Sequence, residues 1–146
     1  MTEALEQDGK IEPYRIVAEF TLGHSGIALT GVHAGKGYRL ILTMLESVLA
    51  ERRKMLLGAK IFLPPALEGM LGDIAHAYAI TAGLGDAVIP QEYTNSVNPG
   101  FHRKTTAKKN WQHTNGNLDV KIAGIGTAGT LTGYTDYSTD TTLVFG

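Results

Sequence analysis

The chain has 146 residues, the size of one ordinary domain, and is long enough to bury a core without disulfide or metal cross-links. Thirteen Lys and Arg residues against fourteen Asp and Glu residues give a net charge of −1 at pH 7, which excludes a uniformly basic nucleic-acid-binding surface. No cysteine is present, so disulfide frameworks, thiolate metal sites and cysteine nucleophiles are excluded as well.

Neither a signal peptide nor a membrane span is predicted. Residues 1–9 are acidic and lack the basic start and apolar run of a signal peptide. The longest apolar stretch, residues 38–57, is interrupted by charged side chains, whereas a bilayer span needs about 20 mostly apolar residues. We therefore expect a soluble protein.

An alternating pattern begins the predicted structure. Apolar side chains occupy every second position of residues 14–22, which predicts a strand with one face in a core. Residues 23–26 are typical of a turn, and residues 27–32 are typical of a partner strand. We therefore expect an N-terminal β-hairpin.

Two helices are predicted in the middle of the chain. Apolar residues recur every three or four positions over residues 38–57, in a stripe broad enough to pack on two sides. Residues 60–63 are predicted to be a short extended piece. Pro65 and a regular apolar repeat over residues 67–81 then predict the second helix, because proline suits the first turn.

The second half is predicted to contain a long loop and then strands. Residues 91–107 lack periodicity and include a cluster of turn-forming residues, which predicts an irregular loop. Asn115-Gly116 lies between extended runs and predicts a hairpin with a type I′ turn, since that turn needs positive φ at both positions. Residues 130–134 and 141–145 are predicted to be the last strands of an antiparallel meander.

The predicted fold class is α+β in a single domain, residues 1–146. It combines an N-terminal β-hairpin, two central helices and a C-terminal antiparallel β-meander, with the strands in one shared sheet or barrel and the helices on one face. Residues 1–10 are expected to form an acidic, flexible N-terminus.

A glycine-rich connector, residues 31–37, is the first candidate site. Within it Gly35, Lys36 and Gly37 lie between a predicted strand and a predicted helix, where backbone N–H groups and a lysine can meet an anion. The spacing is one residue short of a Walker A loop, and no Ser or Thr follows the lysine. A plain flexible connector is therefore the favoured interpretation, with anion binding as the alternative.

The five histidines form no recognisable metal or catalytic motif. No pair among them has the i, i+4 spacing of a metal-binding helix: His24, His33, His76, His102 and His113. No Gly-x-Ser-x-Gly elbow accompanies the serines. We therefore assign no catalytic residue, no metal ligand and no cofactor, and expect the histidines to face solvent.

The basic aromatic segment, residues 101–113, is the second candidate site. It combines four cations and no acid with two aromatic rings, namely Phe101, Arg103, Lys104, Lys108, Lys109 and Trp111. Such a segment can follow a phosphate backbone and stack on bases. It can also pair with the acidic residues 1–20 of another copy of the chain, or remain a solvated loop.

The Gly/Thr-rich residues 124–134, Gly-Ile-Gly-Thr-Ala-Gly-Thr-Leu-Thr-Gly-Tyr, resemble the β-rich parts of small tailed-phage particle proteins, such as tail, connector or head-accessory subunits. This resemblance implies a virion component. Such a subunit assembles with copies of itself and with other particle subunits, in the virion or in the host cytoplasm.

Three classes of function follow from these patterns. A non-enzymatic structural subunit of a homo-oligomeric ring, tube or shell is preferred, because no catalytic constellation is visible and the acidic and basic segments are complementary. The alternative is a small ligand-binding protein or enzyme that uses residues 31–37. The third class is a nucleic-acid-binding module that uses residues 101–113, and this class is not favoured. No membrane partner is expected.

Overall fold

The computed structural model describes residues 1–47, 50–56, 58–135, 137 and 142–145. The chain divides into two compact units, Thr2–Gln91 and Glu92–Gly146. The single domain predicted from the sequence stays a prediction.

Strands and helices alternate in the first unit. Three strands pair in parallel, in chain order across the sheet: β1 (Ile16–Phe20), β2 (Arg39–Thr43) and β3 (Lys60–Phe62). Four helices precede, connect or follow them: α1 (Thr2–Gln7), α2 (His24–Lys36), α3 (Ala50–Lys54) and α4 (Gly69–Leu84). A short 3₁₀ turn, Ala66–Glu68, leads into α4. Because parallel strands need a crossover connection, a helix lies between β1 and β2.

Both faces of β1 are buried, as is usual in a parallel sheet. On one face Val17 belongs to a core cluster with Leu29 of α2 and Leu42 of β2. On the other face Ile16 and Ala18 form a second cluster, to which Ile80 of α4 and other apolar residues are packed. The sheet therefore has helices on both sides, rather than on one side as predicted.

The predicted N-terminal β-hairpin is wrong. Residues 27–32 lie within α2, whose buried Leu29 and His33 are four positions apart and share one helix face. A short apolar run fits a strand or a helix equally well, and here the crossover between two parallel strands decides for the helix.

The predicted helix over residues 38–57 is also wrong. Its first part is β2 and its last part is α3. The broad apolar stripe is the sequence of a strand that is buried on both faces, since four of the five residues of β2 are buried. Three residues of the predicted helix lie outside the described part of the chain: Val48, Leu49 and Leu57.

The second predicted helix is confirmed as α4, although its buried face is only partly the predicted one: Ala77 of the apolar repeat is buried as expected. Gly85, with a φ of +68°, follows the last residue of α4, as expected for a helix end. Leu71, expected in the core, is 77% exposed, whereas Asp73, expected in solvent, is completely buried.

The second unit begins with one helical run and ends with a strand–helix–strand segment. The helical run comprises α5 (Val97–His102), a π-helical turn (Arg103–Ala107) and α6 (Lys108–His113). The segment that follows comprises β4 (Val120–Ala123), α7 (Gly129–Thr135) and β5 (Thr142–Phe145), and β4 and β5 pair in parallel.

Three predictions for the second unit are wrong. Residues 97–107, predicted to be an irregular loop, are helical, and residues 130–134, predicted to be a strand, lie in α7. Asn115 and Gly116 do have the predicted positive φ values of 51° and 79°. They terminate α6 instead of forming a hairpin, since the Gly116 N–H donates to the Trp111 carbonyl at 2.9 Å.

The α+β class is correct in its coarse sense, because the chain combines helices with strands. The predicted antiparallel meander is not found, since every strand pair in the described part of the chain is parallel. Within the described residues, no helix is sufficiently long and apolar for a membrane crossing.

Helix α1 occupies most of the segment that is predicted to be flexible, and polar contacts attach it to the rest of the first unit. Thr2 Oγ1 lies 3.1 Å from the buried His33 Nε2. The Glu6 carboxylate accepts hydrogen bonds from Lys36 Nζ and from the Tyr38 hydroxyl, both at 2.7 Å. These bonds lower the pKa of Glu6, and the bond to Glu6 raises the pKa of Tyr38.

The free energy of unfolding should decrease as the pH falls through the ordinary histidine range, because burial lowers the pKa of His33 and protonation then favours the unfolded chain. The His33→Gln variant should show a shallower pH dependence between about pH 7 and pH 5. Urea unfolding at several pH values measures this, with the exposed His113→Gln as the control. Equal flattening in both variants would contradict the assignment to His33.

Replacing Asp73 should stabilise the protein. Its two carboxylate oxygens are buried and have no hydrogen-bond partner among the described residues, and burial raises its pKa. Asp73→Ala is expected to increase the free energy of unfolding at pH 7 by about 1–3 kcal/mol, and Asp73→Asn by less, because the amide is still polar.

This gain should shrink in acid. The raised pKa means that the folded protein retains this proton while the unfolded chain loses it, so wild-type stability falls as the pH rises through that range. Urea unfolding of both variants at neutral and acidic pH tests the prediction. A destabilised Asp73→Ala variant at neutral pH would refute it.

Candidate functional site

Two loops each follow the carboxyl end of a parallel strand and lead into a helix. The β1–α2 loop comprises residues 21–23, and the β4–α7 loop comprises residues 124–128. Ligands of open α/β sheets bind beyond the carboxyl ends of the strands, and free N–H groups at a helix start attract anions. Neither loop is a predicted site, because the sequence of the helix after each loop also fits a strand.

Thr21 shapes the β1–α2 loop. Its buried hydroxyl accepts hydrogen bonds from the N–H groups of Gly23 at 3.1 Å and Gly26 at 2.9 Å. The N–H groups of His24 and Ser25, in the first turn of α2, have no acceptor among the described residues. Two backbone donors are therefore free to bind an anion at this end of the helix.

Arg52 of α3 places a positive charge beside the β1–α2 loop. Its Nη1 donates to the Leu22 carbonyl at 3.1 Å. Gly23 has a φ of +134°, and a Cβ there would lie 2.9 Å from Arg52 Cδ. The conformation and the space both favour glycine, so the glycine and the arginine together define the path of the loop.

Asn98 of α5 holds the β4–α7 loop. Its Nδ2 donates to Thr127 Oγ1 at 2.8 Å and to the Glu92 carbonyl at 3.0 Å. Thr127 Oγ1 also accepts the Gly129 N–H at 3.3 Å. The side chains of Asn98 and Thr127 therefore tie the loop to α5.

The start of α7 also offers free donors. The N–H groups of Thr130 and Leu131 have no acceptor among the residues that the structure describes. Ala128 precedes α7 with a φ of +60°, a conformation that is unfavourable for a residue other than glycine.

Two glycines bring α7 close to α5. A Cβ at Gly133 would lie 2.6 Å from the Pro99 carbonyl oxygen and 2.8 Å from the Arg103 nitrogen. A Cβ at Gly129 would overlap the Asn98 amide. Because glycines four positions apart share a helix face, their spacing in the sequence is a signal that could have indicated a packed helix here.

The structure brings three predicted cations of residues 101–113 together. Arg103, Lys104 and Lys108 line an open groove of about 440 Å³, together with Tyr137. The segment is helical rather than the predicted loop, which places these side chains along one helical run.

The other three predicted residues of this segment lie outside the lining of the groove. Lys109 is exposed, and Phe101 is 61% exposed. The Trp111 ring meets Tyr137 edge-on, with ring centroids 6.4 Å apart. A contact of these residues with another subunit or with nucleic acid stays a prediction.

The glycine-rich connector is not a flexible break. Gly35 and Lys36 lie in the last turn of α2, and Gly37 terminates it with a φ of +76°. Lys36 Nζ is 2.7 Å from a Glu6 carboxylate oxygen. Residues 35–37 lie at the C-terminal end of α2, which carries negative partial charge and does not favour an anion. Anion binding by these residues stays a prediction.

The histidines are spread over the chain. His24 and His113 are exposed as expected, but His33 is only 1% exposed. Burial also lowers the pKa of His102, whose Nδ1 lies 3.0 Å from Thr106 Oγ1. Among the described residues, no group of three or more His, Asp or Glu side chains could hold a metal ion.

The chain is similar in sequence to known enzymes. It is 44% identical over 135 residues to cysteine synthase A of Escherichia coli K12, a match that covers 90% of this chain and 42% of the relative. The homologues of this chain are cysteine synthases and related enzymes. No protein-family model matches the chain.

Solved structures agree with this relationship. O-ureido-L-serine synthase superposes with a TM-score of 0.91 at 32% identity, over 99% of this chain and 48% of that protein. A hydrogen sulfide-producing enzyme, solved with an α-aminoacrylate intermediate, gives 0.88 at 26% identity, over 93% and 43%. The chain thus spans about half the length of the relatives it matches.

These homologues correct the functional interpretation of the sequence. The resemblance of residues 124–134 to tailed-phage proteins is wrong, and so is the preferred non-enzymatic subunit of a virus particle, because the relatives are enzymes. The Gly/Thr-rich composition belongs to a loop and to a helix packed through glycines, and not to β-strands.

Replacing Asn98 should loosen the β4–α7 loop. Asn98→Ala removes the donor to Thr127 and Glu92 and is expected to lower the free energy of unfolding by about 1–3 kcal/mol. Asn98→Asp, which keeps the shape but replaces the amide donor with an acceptor, should cost at least as much.

Urea unfolding measures both effects. The exposed Asn117→Ala is the control, because its side chain makes no hydrogen bond to the described residues. An Asn98→Asp variant as stable as the wild type would show that the amide nitrogen does not hold the loop.

Proposed function

We propose that this chain is the amino-acid-binding part of a cysteine synthase-like enzyme. The 44% identity to cysteine synthase A carries the proposal. The names of the three matches share one chemistry: cysteine and O-ureido-L-serine are both amino acids with a substituent on the β-carbon, and release of hydrogen sulfide removes such a substituent. The proposed reaction class is therefore replacement or loss of a group at that carbon.

The α-carboxylate of the substrate is unchanged in this chemistry, so it is the natural anchor. A carboxylate has two oxygens, and the first turn of α2 offers two N–H groups without an acceptor among the described residues, those of His24 and Ser25. The positive end of the 13-residue helix α2 and the nearby Arg52 guanidinium both favour the anion. This places the proposed site at the N-terminal end of α2, not at residues 31–37.

Chemistry of this class uses pyridoxal phosphate, which when bound supplies a sink for the electrons of the α-carbon. The residues of the β4–α7 loop suit the phosphate of such a cofactor. The free N–H groups of Thr130 and Leu131 would hold it at the start of α7, and the Asn98–Thr127 hydrogen bond would keep the loop in place.

Removal of one backbone donor tests the carboxylate site. His24→Pro deletes an N–H group at the first position of α2, and the ψ of −64° at Gly23 has to adjust to the proline ring. His24→Ala removes only the side chain. We expect L-cysteine to bind His24→Pro about tenfold more weakly, or worse, and to bind His24→Ala like the wild type. Isothermal titration calorimetry gives the affinities, and thermal unfolding midpoints check that both variants fold.

The methyl ester of L-cysteine completes the test, because it lacks the carboxylate charge. The ester should bind far more weakly than the acid. Equal binding of ester and acid, or equal binding of acid to His24→Pro and the wild type, would overturn the carboxylate site. Cysteine formation from sulfide and an O-acylated L-serine, measured with the full chain and added pyridoxal phosphate, tests the activity itself.

A further inference from the structure

Three positively charged side chains lie around the open groove of the second unit, and none of them belongs to the carboxylate and phosphate sites proposed above. Its lining consists of Arg103, Lys104, Lys108 and the Tyr137 side chain. The three cationic residues are exposed, and none forms a salt bridge with a described residue. Three positive charges with no acidic partner among the described residues therefore lie around one groove.

The local backbone brings these charges together. Arg103 and Lys104 lie in the π-helical turn, and Lys108 begins α6 directly after it. Residues four or five positions apart in such a run lie one above the other, so like charges repel across the groove. An anion between them removes this repulsion, and π-helical turns are frequent at functional sites.

An aromatic wall completes the groove. Tyr137 is 38% exposed, so part of its ring is accessible. The edge-on contact with Trp111, at 6.4 Å between centroids, supports the ring from outside the lining. A planar group bound beside the cations could stack on this ring.

We propose that this groove binds a nucleoside polyphosphate. Its volume of about 440 Å³ lies in the range of small-molecule sites, with room for a single nucleotide. The three cations would contact the phosphates, and Tyr137 would stack on the base. Extended nucleic acid is less well matched, since the net charge of the whole chain is −1 and the three cations lie around one open groove. The inference does not depend on the proposed function.

Trp111 provides a built-in reporter, because it is the only tryptophan of the chain and touches a wall of the groove. Titration with ATP should change its fluorescence, and calorimetry should give the same affinity. Lys104→Gln and Lys108→Gln should each weaken ATP binding by about tenfold. Lys109→Gln is the matched control, because it removes the same charge one position away and outside the lining. It should change the affinity less than twofold.

The ligand series separates the contributions of phosphate and base. Tripolyphosphate should bind more weakly than ATP, and Tyr137→Ala should remove that difference. Equal weakening by Lys109→Gln and Lys104→Gln, or tighter binding of single-stranded DNA than of ATP, would show diffuse attraction instead of a groove site and would overturn the proposal. No ATP binding by the wild type would do the same.

Asp136 needs its own variant, because it precedes Tyr137 in the sequence and lies outside the described residues. Asp136→Asn should not weaken ATP binding, since a negatively charged side chain offers no attraction to phosphates. Weaker binding in this variant would contradict a groove that recognises its ligand through cations.

Discussion

Parallel pairing of β1 with β2 is the constraint on which the first unit depends. Parallel strands run in the same direction, so the chain must cross back to the starting edge of the sheet between them. Helix α2 forms this crossover between β1 and β2. The crossover puts the first turn of α2 immediately beyond the carboxyl end of β1. Its free N–H groups, Gly23 and the Arg52 guanidinium therefore meet in one place because of topology, before any requirement of function is considered. The second unit uses the same device, with α7 between the parallel strands β4 and β5.

The sequence predicts structural elements that depend on a local residue pattern, and it does not predict features that depend on how strands pair. Strand β1 was recognisable from its alternation, α4 from its apolar repeat, and the positive φ values of Asn115 and Gly116 from their residue types. Strand β2 was not recognisable as a strand, because a strand that is buried on both faces has a continuous apolar run that also fits a helix. The direction of a strand leaves no local signal, so the parallel sheets were taken for hairpins.

The candidate sites show the same division. The cations of residues 101–113 were visible as a charge pattern, and three of them do line one groove. The free N–H groups of His24 and Ser25 are not visible in the sequence, because every residue type except proline carries the same backbone donor. The donor becomes available only where a helix starts. Asn98 was counted among turn-forming residues, whereas its amide binds a loop 29 positions further along the chain. Such a long-range partner follows from packing and not from spacing.

The close approach at Gly133 has a mechanical consequence. Its missing side chain lets the backbone of α7 approach α5 so closely that a Cβ would lie 2.6 Å from the Pro99 carbonyl oxygen and 2.8 Å from the Arg103 backbone nitrogen. Backbone in contact with backbone has no side chain that can rotate to absorb a displacement. We therefore expect helices α5 and α7 to move as one piece, with the turn that carries Arg103 at a constant distance from the first residues of α7. A side chain as small as that of alanine at this position would act as a wedge between the two.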